Sequence, residues 1–137
     1  MIRPIILSKK ENSPEIILDK ENNIFKISGR SIVENAHQFY DPIIDWFKEY
    51  FKNPNEATEL SINLDYINSS SSLFLMKIVL LFEENDNENN NLKVIWAYDM
   101  QDELLKERGA EIKKTTKINF ELTEYDSGEY EEFDFNF

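Results

Sequence analysis

The chain contains no cysteine. That excludes a disulfide framework, a thiolate nucleophile and any metal site built on cysteine, and it agrees with a reducing, cytoplasmic setting. It has one histidine, His37, which is too few for a multi-histidine metal site and has no Ser-His-Asp arrangement around it. His37 is read as an ordinary helix-surface residue. Glycine is scarce: Gly29, Gly109 and Gly128 are the only three, so no glycine-rich loop exists to cradle a phosphate. The acids are spread along the chain without the spacing of a calcium loop. No metal, cofactor or catalytic residue is assigned, and the chain is expected not to be an enzyme. Carboxylates brought together by folding are the one catalytic route left open.

Long apolar runs are also missing. The longest, Leu73 to Phe82, is interrupted by Lys77 and is roughly half the length of a membrane span. The apolar stretch near the N-terminus is too short for the core of a secretion signal. Positive charge is in short supply, with 15 Lys and Arg against 27 Asp and Glu, a formal net charge of −12. Such a surface repels nucleic acid and anionic lipid. It suits a basic protein partner.

What is present is enough for one domain. The chain has 137 residues, of which 41% are hydrophobic, the size and composition of a single core. Glu15 to Leu18 and Ile24 to Ser28 read as a hairpin of two strands around a polar turn. Gly29-Arg30 breaks the second. Ser31 and Glu34 have the spacing of a reciprocal helix cap, which predicts a helix from about Val33 to Phe51. Its apolar stripe is Ala36, Phe39, Ile43, Trp46, Phe47 and Tyr50. Pro42 inside it predicts a kink, or a break with Asp41 capping a second segment. Leu60, Ile62, Leu64 and Tyr66 alternate with polar residues, giving a strand with one buried face.

Leu73 to Phe82 reads as a second helix, and Asn85 to Asn91 as a solvated loop. Leu92 to Tyr98 is a strand, Asp102 to Arg108 a short helix closed by Gly109, and Lys117 to Leu122 the last strand. The order β-β-α-β-α-β-α-β predicts an α/β fold with a mixed sheet and helices packed against it. The domain is expected to span 1–123. Residues 124–137 form a tail with six acids, five aromatics and no Lys or Arg, either disordered or folded back on the domain.

Asn68 and the four serines Ser69 to Ser72 stand where the third of these strands meets the second helix. One reading makes them a helix cap, with Asn68 or one serine accepting a backbone amide, worth about 1 kcal/mol. The other makes one hydroxyl a phosphate acceptor, since free amides and the helix dipole tolerate a dianion there. The helix that follows carries only Lys77 as a charge. Its outer side is either covered by another element or left as an apolar patch for a partner.

Three stretches resemble one known family. Ile27-Ser28-Gly29-Arg30-Ser31-Ile32-Val33-Glu34-Asn35-Ala36 is similar to the ISGRSIPENA motif of the SiaC family of bacterial regulatory phosphoproteins. Phe39-Tyr40-Asp41-Pro42 with Trp46 follows that family's pattern. Asp65-Tyr66-Ile67-Asn68-Ser69-Ser70-Ser71 resembles its segment EYFNTSSS. The likeness covers about residues 13 to 122, with looser matches at Ser13–Ile16 and Val94–Tyr98. It implies the fold of anti-sigma-factor antagonists (STAS) and a role in partner switching. A kinase would phosphorylate the strand-to-helix junction and a phosphatase would reverse it. The unmodified form would bind and activate a diguanylate cyclase, the source of cyclic di-GMP.

The family's acceptor threonine falls on Ser69, with Ser70 as second choice. Arg30, Ser31, Asn68, Ser71, Leu73, Phe74 and Lys77 would contact the partner. Two departures stand out: the acceptor is serine rather than threonine, and Val33 replaces a proline. Two other functions remain open. A constitutive adaptor would use the same surface without phosphorylation. A small-molecule or enzymatic domain would need an enclosed pocket with converging acids near Arg30.

Overall fold

The computed structural model of the chain describes residues 2–128. Six strands form one sheet in the order β1-β2-β3-β4-β5-β6. They are β1 (Ile5–Leu7), β2 (Glu15–Asp19), β3 (Ile24–Ser31), β4 (Ala57–Ile67), β5 (Asn91–Asp99) and β6 (Asn119–Tyr125), with helices α1 (Ala36–Tyr50), α2 (Ser69–Glu84) and α3 (Glu103–Thr115) between them. β1 and β2, and β2 and β3, pair antiparallel; the other neighbours pair parallel. The mixed α/β fold expected from the sequence is present, with β1 as an added edge strand. Its three residues, Ile5-Ile6-Leu7, are too short a run to announce it by pattern alone.

Because the strand order follows the chain order, each parallel crossover of the same hand returns its helix to the same face. Alternate strand residues accordingly fill one core: Ile16, Leu18, Phe25, Ile27, Leu60, Ile62, Leu92, Val94, Trp96 and Phe120 are buried against the helices. The opposite sheet face is half-exposed and carries the ion pairs Lys26–Glu15 and Lys93–Glu121, each at 3.1 Å.

Four local expectations are corrected. β3 runs on to Ser31 through Gly29, whose φ of +111° glycine adopts freely. Ser31 is therefore the end of a strand, and the cap of α1 is Asn35, whose Oδ1 accepts from the Gln38 amide at 3.2 Å. The α1 helix passes Pro42 without a break. Proline there deprives only the Gln38 carbonyl of its amide, and both residues lie on the exposed side, where the carbonyl is open to solvent. α3 continues to Thr115, with Gly109 buried in its interior.

The fourth correction concerns β4. Gly29 pairs with Leu64 but Arg30 with Tyr66, so Asp65 is an extra residue, a β-bulge. Beyond a bulge the alternation shifts by one. Tyr66, expected to face the core, is 56% exposed, and Ile67 takes the inward place. β6 reaches Tyr125, past the expected boundary at residue 123, and Tyr125 Oη donates to Asn63 Oδ1 at 2.9 Å. The rest of the expected acidic aromatic tail, residues 129–137, lies outside the described residues.

Candidate functional site

The serine run sits at the C-terminal ends of the parallel strands, the rim where loops and helix starts gather. β3 and β4 end side by side, Ser31 opposite Ile67. The Asn68 amide donates to the Ser31 carbonyl at 3.1 Å, and Asn68 Nδ2 donates to the Val33 carbonyl at 3.4 Å. The turn that starts α2 is thereby fixed to the end of β3 rather than hanging from β4 alone.

α2 begins at Ser69, not at Leu73, because Asn68 is its cap. Asn68 Oδ1 accepts from the Ser71 amide at 2.9 Å and from Ser70 Oγ at 3.3 Å. The four serines thus occupy the first helical turn, one on each side of it. Ser69 and Ser70 are exposed, Ser72 is half-buried and Ser71 is fully buried. No acid stands in this first turn, in contrast to α3, which has Glu103 there.

Beneath the exposed serines lies a chain of buried hydroxyls from three elements. Ser31 Oγ from β3 lies 2.5 Å from Tyr40 Oη of α1 and donates to Ser71 Oγ of α2 at 2.8 Å. All three side chains are fully buried, and each hydroxyl needs the others, since an unpaired buried hydroxyl costs about 1–3 kcal/mol. Burial pushes the Tyr40 phenol up to about 12, against the lowering effect of its bonds to Ser31 and Ser71. The Tyr40 ring stacks on Phe74 with centroids 5.7 Å apart. His37 meets the same Phe74 edge-on at 4.9 Å, and Lys77 Nζ lies 4.4 Å from its centroid.

Outside this buried layer α2 shows an apolar stripe. Leu73 is 52% exposed and Leu80 38% exposed, with exposed Lys77 between them. Residues spaced by four and then three share one helix face. Tyr66, turned outward by the bulge, lies just before the serine turn, and the Arg30 guanidinium sits 4.6 Å from its ring centroid, a favourable cation–π position.

The residues singled out in the sequence fall into two layers. Ser69, Ser70, Leu73 and Lys77 are exposed, and Arg30 and Asn68 are half-buried; these six share the rim and the start of α2. Ser31, Ser71 and Phe74 are interior, Phe74 with 3% of its surface exposed. Expected as contacts, these three instead hold the surface layer from below, because their hydroxyls and ring are taken up by Tyr40 and each other. Tyr40 is the member that pattern reading missed. It lies four residues after Ala36 and three before Ile43, on the buried stripe, and a buried tyrosine calls for a polar partner.

Three surface depressions, lined by residues such as Lys26, Glu59 and Ser61, Glu49 and Lys52, or Arg3, Asp19 and Asn55, lie around the starts of β3 and β4 and the end of α1, away from Arg30. Among the described residues no group of three His, Cys, Asp or Glu could hold a metal ion. Among them, too, no helix is long and apolar enough to cross a membrane.

The architecture is that of proteins already solved. SiaC of Pseudomonas aeruginosa superposes with a TM-score of 0.81 at 23% identity, covering 90% of this chain and 99% of that one. The crystal structure of the diguanylate cyclase SiaD in complex with its activator SiaC, also from P. aeruginosa, matches with a TM-score of 0.81 at 24% identity, over 88% of this chain and 99% of that chain. An uncharacterized protein of P. aeruginosa strain UCBPP-PA14 is 26% identical over 116 residues, 85% of this chain and 92% of that protein. At these identities the structural likeness establishes the fold. Residues 7–125 match the family model of the SiaC family regulatory phosphoprotein, and the chain belongs to the SiaC family.

Proposed function

We propose that this protein is a non-enzymatic cytoplasmic regulator whose phosphorylation at Ser69 controls its docking onto a diguanylate cyclase. The unmodified form binds and activates the cyclase; a kinase adds the phosphate and a phosphatase removes it. The complex of SiaD with its activator SiaC supplies the class of partner. The observation that carries the site is the pairing of an exposed Ser69 in the first turn of α2 with the exposed stripe Leu73–Lys77–Leu80 on the same helix.

The mechanism is electrostatic. A phosphoserine adds about −1.5 to −2 charges at neutral pH, one turn from Leu73. A partner that covers Leu73 and Leu80 must bury or approach that dianion, and burying an unpaired charge is costly. Arg30 and Asn68 border the same surface, while Phe74 supports Lys77 from below. Ser70, equally exposed, is the second-choice acceptor.

The test measures binding to, and activation of, a purified diguanylate cyclase. Wild type and Ser69→Ala are expected to bind it and raise its activity, and Ser69→Asp or phosphoserine at 69 to bind at least tenfold more weakly. Equal binding by all of them rejects Ser69 as the switch. Binding that is equal while Leu73→Glu abolishes it leaves a constitutive adaptor that uses this surface.

A further inference from the structure

We propose that Asn68 selects Ser69 among the four serines, by holding its nearest competitor and leaving Ser69 free. This rests on the reading of Ser69 as the phosphoacceptor and names what confines the phosphate to it. Two of the serines are set aside by position: Ser71 is buried with its hydroxyl against Ser31, and Ser72 is half-buried. Exposure does not separate the remaining two, because Ser69 and Ser70 are both on the surface. Hydrogen bonding does. Ser70 Oγ donates to Asn68 Oδ1 at 3.3 Å, whereas the Ser69 hydroxyl makes no hydrogen bond among the described residues.

The difference matters for the chemistry. In the transfer, serine Oγ attacks the terminal phosphorus of a nucleoside triphosphate held by the kinase. The bond to the diphosphate leaving group breaks as the new O–P bond forms, and the hydroxyl proton passes to a base of the kinase. The Ser70 proton is already committed to Asn68; the Ser69 proton is not. Asn68 in turn is aimed from outside the helix, by its bonds to the Val33 and Ser31 carbonyls. The end of β3 therefore sets which hydroxyl of α2 is free, and Asn68 is a positioning residue.

The test maps the phosphate by fragment mass spectrometry on the 69–72 peptide from native cells that carry wild type, Asn68→Ala or Asn68→Gly. Glycine is a helix cap only slightly weaker than asparagine, so it keeps the experiment decisive if the alanine variant unfolds. Wild type is expected to carry its phosphate mainly on Ser69. Both variants release the Ser70 hydroxyl, and the share of phosphate on Ser70 is expected to rise about twofold, the factor that one long, exposed hydrogen bond of 3.3 Å is worth. An unchanged share overturns the proposal. So does loss of phosphate from all four serines in folded variants, which would make Asn68 something the kinase reads directly. Absence of phosphate from wild type itself rejects the switch reading, and this inference with it.

Discussion

Tyr40 Oη lies 2.5 Å from Ser31 Oγ with none of the side chain exposed, and its ionisation is tied to folding. In the unfolded chain the phenol ionises near 10.0; in the folded protein burial raises this to about 12. Between those values the folded state holds a proton that the unfolded state has released. Its contribution to stability is complete below pH 10 and is lost as pH rises through about 12. A shift of about two units corresponds to about 3 kcal/mol. Tyr40→Phe keeps the ring on Phe74 and removes the hydroxyl from the chain of Ser31 and Ser71. At pH 8 the variant is expected to be less stable by about 1–3 kcal/mol. At pH 11 wild type has lost part of its advantage, and the gap narrows by about 1 kcal/mol. Denaturant unfolding at the two pH values checks this, and an equal gap at both refutes the coupling.

Helix α3 shows how an element is misread. Aspartate at 102 and glycine at 109 read as a start and a stop, and the start is right: Asp102 Oδ1 accepts from the Leu105 amide at 3.1 Å. Glycine ends helices because it tolerates a left-handed backbone, but it also admits close packing, and the sequence does not distinguish the two. Here Trp96 Nε1 donates to the Leu105 carbonyl at 2.9 Å, and the indole lies on the helix where Gly109 has no side chain. A Cβ at 109 would stand 2.5 Å from Trp96 Cδ1 and 2.8 Å from Leu122 Cδ2. Gly109→Ala is expected to destabilise the protein by about 1–3 kcal/mol through overpacking, despite alanine's higher helix propensity. Were 109 an unconstrained helical position, thermal melts would show no loss, or a gain from alanine's propensity.

The long periodic helices, the alternating strands and the mixed sheet were legible because periodicity depends on nearby residues. The bulge at Asp65 and the Ser31–Tyr40–Ser71 chain were not, because each depends on partners 9 to 40 residues apart. The cap spacing of Ser31 and Glu34 misled for the same reason. The serine hydroxyl could satisfy either a local amide or a distant tyrosine, and burial decided for the tyrosine. The site suffered in proportion: Ser31, Ser71 and Phe74 are named by the motif, but their place beneath the surface and the tie of the two serines to Tyr40 are not.

At the scale of the molecule, all three helices pack on one face of the sheet, and the candidate switch sits on the rim, outside the core. A charge placed there is expected to change binding without changing the fold. The first turn of α2 carries no acid of its own, so its free amides and the positive end of the helix dipole are not already paired with an anion from that turn. A negative group there is favourable by about 0.3–1 kcal/mol. Against this stands repulsion from a chain whose net charge is already −12, screened beyond roughly 10 Å at ordinary salt. The two effects are of similar size and opposite sign. Since 1 kcal/mol moves Tm by only about 2–8 °C in domains of this size, protein with phosphoserine installed at 69 is expected to melt within a few degrees of wild type. Its Tm should rise relative to wild type as salt is added, since screening weakens the long-range repulsion more than the contact with the helix end. A fall of more than about 10 °C would mean that the phosphate disrupts the buried hydroxyl layer under α2, and that the modified protein loses its partner by unfolding rather than by charge.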